Sequence, residues 1–269
     1  MTAFDLGELR AALGGYRRIA AVDETGSTNA DLLDDALAPP RSVLMTASQT
    51  HGRGRMGRAW IAPRGAVLAC SVLLRPSLSQ CERIGTLPLA TGLGILEGLR
   101  DVVRAQRGEE AARLIQLKWP NDVLWEGKKL CGILAEGTGF PDAPRIVTGF
   151  GINISLREED LPVPHATSLL LHGVESTPQA VALATLRHLD ERLRQWEYGE
   201  IPALMAEYRE VCATLGADVR VEAPTGTVEG RVESVGDDGR LHLRTVAGDL
   251  SEISAGDVTH VRRRTSDYA

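Results

Sequence analysis

Only four cysteines, at positions 70, 81, 131 and 212, occur in this 269-residue chain. No two form a CxxC pair or stand near histidines at zinc spacing. They read as reduced, mostly buried small hydrophobes. The six histidines (His51, His165, His172, His188, His242, His260) are equally scattered, so no metal site held by protein alone is expected. The N-terminus, MTAFDLGELRAALGG, carries acids and lacks an apolar run behind a basic start, which argues against a secretory leader. The most apolar helical window, IGTLPLATGLGILEGL, contains Pro88 and Glu97 and falls short of the roughly 18 uncharged residues of a membrane span. A cytoplasmic protein without a membrane partner is the expectation. No GxxxxGK[ST] loop is present, which excludes a P-loop enzyme, and no repeat of 20–50 residues recurs. Basic excess is missing too: 30 Lys and Arg stand against 36 Asp and Glu, a net charge of −6 that disfavours nucleic acid as a partner.

What is present is ordinary for a globular chain: 43% hydrophobic and 25% charged residues, enough for one large domain and a small one. Residues 5 to 13 predict a short helix stopped by Gly14-Gly15, and YRRIAAVDE a strand. Ser27-Thr28-Asn29 offers a cap for a helix bearing Leu32, Leu33 and Leu37. SVLMTASQ and AVLACSVLLRP predict strands, a long helix is expected over about 84 to 105, and LIQLKWP, KLCGILAEG and RIVTGFGIN predict further strands. Residues 178 to 212 read as two helices parted near Pro202. After Gly216 the pattern changes to short alternating strands, ADVRVEA, GTVEGRVESV, RLHLRTV and DVTHVRR, divided by PTG, GDDG and AGD turns. The expected architecture is α+β: a mixed β-sheet flanked by helices over residues 1–215, and a small C-terminal β-barrel over residues 216–269.

Chemistry concentrates in three stretches. QTHGRGRMGRAW sets Arg53, Arg55 and Arg58 among Gly52, Gly54 and Gly57. Such a pattern arises by chance with a probability on the order of 10⁻⁵ in a chain of this size. Glycines let backbone N–H groups approach an anion, and guanidinium forks match phosphate or carboxylate, so the stretch reads as a flap over a phosphate-bearing ligand. In LKWPNDVLWEGKKLCGIL, a tight turn at Pro120-Asn121-Asp122 brings Lys118, at the end of one strand, and Lys129, near the start of the next, toward one crevice. GFGIN ends a strand on two glycines and Asn153, whose amide suits a planar ligand edge. GLGILEG echoes a dinucleotide motif but lies in an apolar helical window and not at a strand-to-helix turn.

In this order, STN, QTHGRGRMGRAW, KWPND, KKLCGIL and GFGIN, followed by a small β-domain, closely resemble the biotin protein ligases. The likeness runs from about residue 20 to the end. It implies a fold shared with lipoate ligases and related to class II aminoacyl-tRNA synthetases, with an SH3-like C-terminal barrel. It implies that biotin and ATP with Mg2+ form biotinyl-5′-AMP, and that a lysine of a biotin carboxyl carrier protein domain then accepts the biotin. Carried over residue by residue, catalysis falls to Lys129, Arg55 and Arg53. Biotin contacts fall to Ser27, Thr28, Asn29, Gln49, Gly52, Arg53, Gly54, Arg55, Lys129, Gly132 and Ile133. Nucleotide contacts fall to Arg55, Arg58, Trp60, Lys118, Asn121, Asp122 and Asn153, with magnesium arriving on ATP near Asp122. Lys128 is expected to be the exposed neighbour of Lys129. Cys131 stands where relatives usually have a small residue such as alanine, and Met56 replaces a commonly basic flap position. Only 26 residues precede Ser27, too few for the DNA-binding module of relatives that also repress transcription, so a monofunctional ligase without a DNA partner is expected, as monomer or homodimer. A lipoate ligase and an RNA-binding protein using the Arg/Gly stretch are the two alternatives.

Overall fold

The computed structural model describes residues 3–223 and 226–260. The first helix, α1 (Leu6–Ala12), starts where the Asp5 carboxylate accepts the backbone N–H groups of Gly7 and Glu8. Strand β1 (Arg18–Ala21) leads through α2 (Thr28–Asp34), capped by the Ser27 hydroxyl, into β2 (Ser42–Thr46), which pairs with β1 in parallel. The Arg/Gly stretch forms β3 (Gly52–Arg53) and β4 (Ala59–Trp60), joined by a single 3-10 turn over Arg55–Gly57. Strand β5 (Val67–Leu74) is buried along its whole length, as its unbroken apolar run demands.

After the short α3 (Leu78–Cys81), the long α4 (Leu87–Arg113) crosses the sheet. It is longer than expected because the chain resumes helical turns after Gly108, whose φ of 79° marks an interruption and not an end. Four antiparallel strands follow: β6 (Ile115–Lys118), β7 (Asp122–Trp125), β8 (Lys128–Thr138) and β9 (Arg145–Asn153). The Pro120-Asn121 turn therefore joins β6 to β7. Lys129 lies one strand further, after a second turn at Glu126 and Gly127, both at positive φ. Helices α5 (Pro178–Tyr198) and α6 (Ile201–Val211) part at Gly199, with Pro202 in the first turn of α6.

The main sheet has seven strands in the order β1-β2-β5-β9-β8-β7-β6. Alternation along β9 assigns its faces: Thr148 bonds Thr91 of α4, while the next residue, Gly149, lies against Asn29 of α2. Helix α4 thus covers one face and α2 the other. Helix α5 packs on α4 where glycines remove the side chains between them. A Cβ on Gly94 would stand 2.6 Å from Leu189 Cα, and one on Gly98 2.5 Å from Thr185 Cα. The GLGILEG run is helix packing.

The C-terminal strands are β10 (Asp218–Ala223), β11 (Gly226–Val235), β12 (Leu241–Thr245), β13 (Leu250–Ile253) and β14 (Asp257–His260). They form an antiparallel sheet in the order β13-β12-β11-β10-β14, and among the described residues its edges β13 and β14 share no ladder. The expected barrel is thus an open five-stranded sheet here. Strand β13 was not foreseen in the sequence because only Ile253 of its four residues is buried, which leaves no alternation to read. Residues 261–263 of the expected last strand, and Pro224 and Thr225 of the expected PTG turn, lie outside the described residues. Among the described residues no helix is long and apolar enough to cross a membrane.

Candidate active site

A cleft of about 210 Å³ opens on the α2 face of the main sheet. Its floor is made by glycines. Gly149 and Gly151 on β9 and Gly132 on β8 present no side chain there, and two larger groups occupy the room they leave. Asn29 sits against Gly149, and the Trp60 indole lies over Gly151 and within van der Waals reach of Gly132. A methyl group at Gly149 or Gly151 would overlap those side chains. Cys131 and Ile133 have the opposite parity on β8 and sit in the core, with Ile133 Cδ1 reaching toward Gly92 of α4. Ile133 therefore borders the cleft through its backbone, whose carbonyl accepts the Asn121 amide at 2.7 Å. Burial pushes the Cys131 thiol far above the ordinary range, so it stands as an inert packing group.

One end of the cleft is lined mainly by neutral polar groups, with the Arg53–Glu136 ion pair at its rim. The Gln49 Oε1 atom accepts the Thr28 backbone N–H at 2.9 Å, and the Thr28 hydroxyl lies 2.7 Å from that of Ser71. Asn29 turns its amide inward, accepting from Ser71 at 2.6 Å and donating to the Leu134 carbonyl and to Glu136. Ser27 borders the cleft while its hydroxyl caps α2.

The other end is cationic. Lys129 Nζ lies 2.6 Å from Asp122 Oδ1 and 5.7 Å from the centre of the Trp60 ring. Lys128, next in sequence, is exposed. Lys118, at the end of β6 opposite Asp122, is pushed below the usual lysine range by burial, with Asp122 opposing and Lys129 adding to the shift. The Arg55 guanidinium, likewise lowered by burial, donates to Asn121 Oδ1 at 3.3 Å and to the Gly256 carbonyl at 3.2 Å. Arg58 pairs with Asp257 of β14, and Arg53 with Glu136 at 3.7 Å. The flap is therefore folded over the cleft, held through β3–β4 pairing of Gly52 with Trp60. Gly52 has to be glycine, since a Cβ there would strike the Trp60 carbonyl. Asn153, buried beside the cleft, donates to the Thr167 carbonyl at 2.8 Å.

All of the residues expected to serve catalysis, biotin or nucleotide except Gly52 and Lys118 line this one cleft, and those two flank it. Sequence reasoning missed four of its neighbours. Ser71 left a trace, being a hydroxyl inside the apolar run of β5. Glu136 closes the KLCGILAEG strand. His165 belongs to a loop docked on β8 by the Lys129 N–H to His165 carbonyl bond of 2.7 Å, and Asp257 comes from the C-terminal sheet. Neither left a local signal. No group of three or more His, Cys, Asp or Glu among the described residues could hold a metal. The Asp122 carboxylate beside two lysines suits a Mg2+ that arrives already bound to phosphates.

Residues 19–153 match the Biotin/lipoate A/B protein ligase family, and residues 214–261 the Biotin protein ligase C terminal domain. Over 260 residues the chain is 40% identical to a biotin--[acetyl-CoA-carboxylase] ligase of Mycobacterium tuberculosis, covering 95% of this chain and 93% of that one. A protein of the same name from Paracoccus denitrificans is 32% identical, covering 83% of this chain and 93% of its own. Among solved structures, the biotin protein ligase of Aquifex aeolicus in complex with biotin and ATP superposes with a TM-score of 0.76 at 26% identity, over 92% of this chain and 100% of that one.

Proposed function

This chain belongs to the biotin/lipoate A/B protein ligase family, and from that premise we propose that its cleft activates biotin with ATP and hands it to a lysine of a biotin carboxyl carrier domain. The observation that carries the reading is one cleft with two unlike ends: hydroxyls and an amide at one, and Lys118, Lys129, Arg55 and Arg58 at the other. The neutral end suits the cyclic urea of biotin, which offers two N–H donors and a carbonyl acceptor. The cationic end suits a carboxylate meeting a triphosphate.

In the first step a biotin carboxylate oxygen attacks the α-phosphorus of ATP. A new O–P bond forms, the bond to the bridging oxygen breaks, and pyrophosphate leaves with the electron pair. Lys129, at the cationic end, stabilises the negative charge that accumulates at phosphorus. Arg55 and Arg58 neutralise the phosphates, Trp60 walls the acyl phosphate, and Asn121 and Asn153 border the nucleotide. Asp122 would approach the Mg2+ that accompanies ATP, and that ion would supply further charge neutralisation. In the second step the carrier lysine amine attacks the acyl carbon, the amide forms, AMP departs and the amine releases a proton. The flap keeps water from the mixed anhydride between the steps.

A dithiolane ring would offer no hydrogen-bond partner to the Gln49 NH2 group or to the free lone pairs of Thr28, which disfavours lipoate. The flap arginines face Asn121, the Gly256 carbonyl and Asp257, which disfavours an RNA-binding role. We also propose a division into two domains after residue 215, supported by the two sheets sharing no ladder. The direct test is biotin-dependent exchange of pyrophosphate into ATP, with lipoate as competitor. Exchange that biotin drives and lipoate leaves untouched is expected, and its absence in folded protein would refute the reading.

A further inference from the structure

We propose that Ser71, backed by Asn29 and Glu136, is a positioning residue that sets the direction of the Thr28 hydroxyl proton, so that Thr28 meets the ligand as a hydrogen-bond acceptor. The inference rests on the biotin reading of this cleft and concerns how the cyclic urea is told from other rings.

Counting protons along the chain of bonds decides the direction. Asn29 Nδ2 faces two acceptors, the Leu134 carbonyl at 3.2 Å and Glu136 Oε2 at 2.8 Å. Its oxygen must therefore face Ser71, 2.6 Å away, and an amide oxygen only accepts. The single Ser71 proton is thereby committed to Asn29. Thr28 Oγ1 lies 2.7 Å from Ser71 Oγ, a distance that requires a proton between them, and only Thr28 has one left. Thr28 also lies 3.1 Å from Gln49 Oε1, but that oxygen already accepts the Thr28 backbone N–H at 2.9 Å. The relay thus runs Thr28 to Ser71 to Asn29 to Glu136, ending on a carboxylate.

Two consequences reach the cleft. Thr28 keeps only lone pairs for a ligand, and Gln49, with its oxygen bound to backbone, keeps its NH2 group. An acceptor beside a donor complements the N–H and C=O of a cyclic urea. Thr28, Ser71 and Asn29 are all buried, so the arrangement is shielded from solvent exchange of partners. It is anchored on Glu136, at the partly exposed rim, where Arg53 of the flap also pairs.

The test compares Michaelis constants in pyrophosphate exchange for the parent, Ser71→Ala, Asn29→Leu, Glu136→Met and Glu136→Gln. Ser71→Ala frees the Thr28 proton, and Asn29→Leu frees that of Ser71 to point back at Thr28. Each is expected to raise the biotin KM about tenfold or more, with the ATP KM and kcat within about twofold. Glu136→Met, on the rim where folding is least exposed to damage, is expected to raise it about threefold. Glu136→Gln keeps an acceptor oxygen for Asn29 and is expected to stay near the parent. A biotin KM unmoved in Ser71→Ala, an ATP KM that rises in parallel, or equal behaviour of Glu136→Met and Glu136→Gln overturns the relay. No biotin-driven exchange in the parent overturns the function it rests on, and the relay with it.

Discussion

At the scale of single residues, two neighbouring lysines share a strand and differ in everything that matters. The register shift between β7 and β8 at Val123/Leu124 interrupts the alternation of β8, so Lys129 turns toward Asp122 and Trp60 although it shares the parity of Cys131 and Ile133, and Lys128 stays in solvent. Lys129→Ala is expected to lower the rate of adenylation by about 10²-fold to 10³-fold, the range for losing one preorganised electrostatic partner. Lys128→Ala is expected to leave it within about twofold, because an exposed charge contributes little. Similar losses in a pyrophosphate exchange assay would mean that the other lysine faces the chemistry. The choice of Lys129 over Lys128 comes from the likeness to biotin protein ligases, whose lysine at this site follows that of KWPND by eleven positions. That the Asn29 amide bonds Ser71, the Leu134 carbonyl and Glu136 was not legible. The STN run shows a helix cap and three polar side chains, and only the arrival of β5 and β8 from distant sequence decides where each points.

At the scale of elements, the flap and the helix pair show how much depends on close approach. Arg55 is tied to Asn121 on one side and to the Gly256 carbonyl on the other. Arg55→Gly is expected to loosen the flap and let the acyl adenylate escape, so that bystander lysines on added albumin become biotinylated. Equal bystander labelling by parent and variant, read by streptavidin blot, would remove the flap's retaining role. Where α4 meets α5, Gly98→Ala would place a methyl group 2.5 Å from Thr185 Cα. Backbone has to move, and overpacking of this kind costs about 1–3 kcal/mol. The melting temperature is expected to fall by about 2–4 °C for each kcal/mol lost. An unchanged melting curve would show that the two helices have slack. The glycine run was readable as helical from its apolar surroundings and α5 as a helix too, whereas their packing against each other across some ninety residues was not readable.

At the scale of the whole molecule, one apolar core runs from the main sheet into the C-terminal sheet, joining Leu87 and Leu89 with Val219, Val235 and Leu241. The C-terminal sheet also brings Asp257 to Arg58 and Gly256 to Arg55, so its job includes the flap. Proton uptake ties the molecule together in another way. His165, His172 and His260 are all pushed below the usual histidine range, each first by burial. Lys118 and Lys129 add to the shift at His165, and Lys118 at His260. In the unfolded chain these rings take up protons near about pH 6.5. Folded, they do so only at lower pH, so between the two the unfolded state binds more protons and stability falls as pH falls. Thermal melts are therefore expected to decline below about pH 6.5, and His165→Gln to flatten part of that decline. A variant with the same pH profile as the parent would show that His165 does not take part.

By itself the sequence determined the order of the longer strands and helices, though not β3, β4 or β13. It also determined the glycine positions where close approach is needed and the cationic residues gathered around one cleft. These are local matters, set by periodicity, turn chemistry and the identity of side chains a few positions apart. Tertiary structure alone decided the remainder: the open C-terminal sheet, Asp257 beside the flap, the inward parity of Ile133, and the direction of protons between Thr28 and Asn29. Each of these depends on groups that meet only when segments 40 to 200 residues apart are packed together, and no local pattern encodes which partner will be opposite.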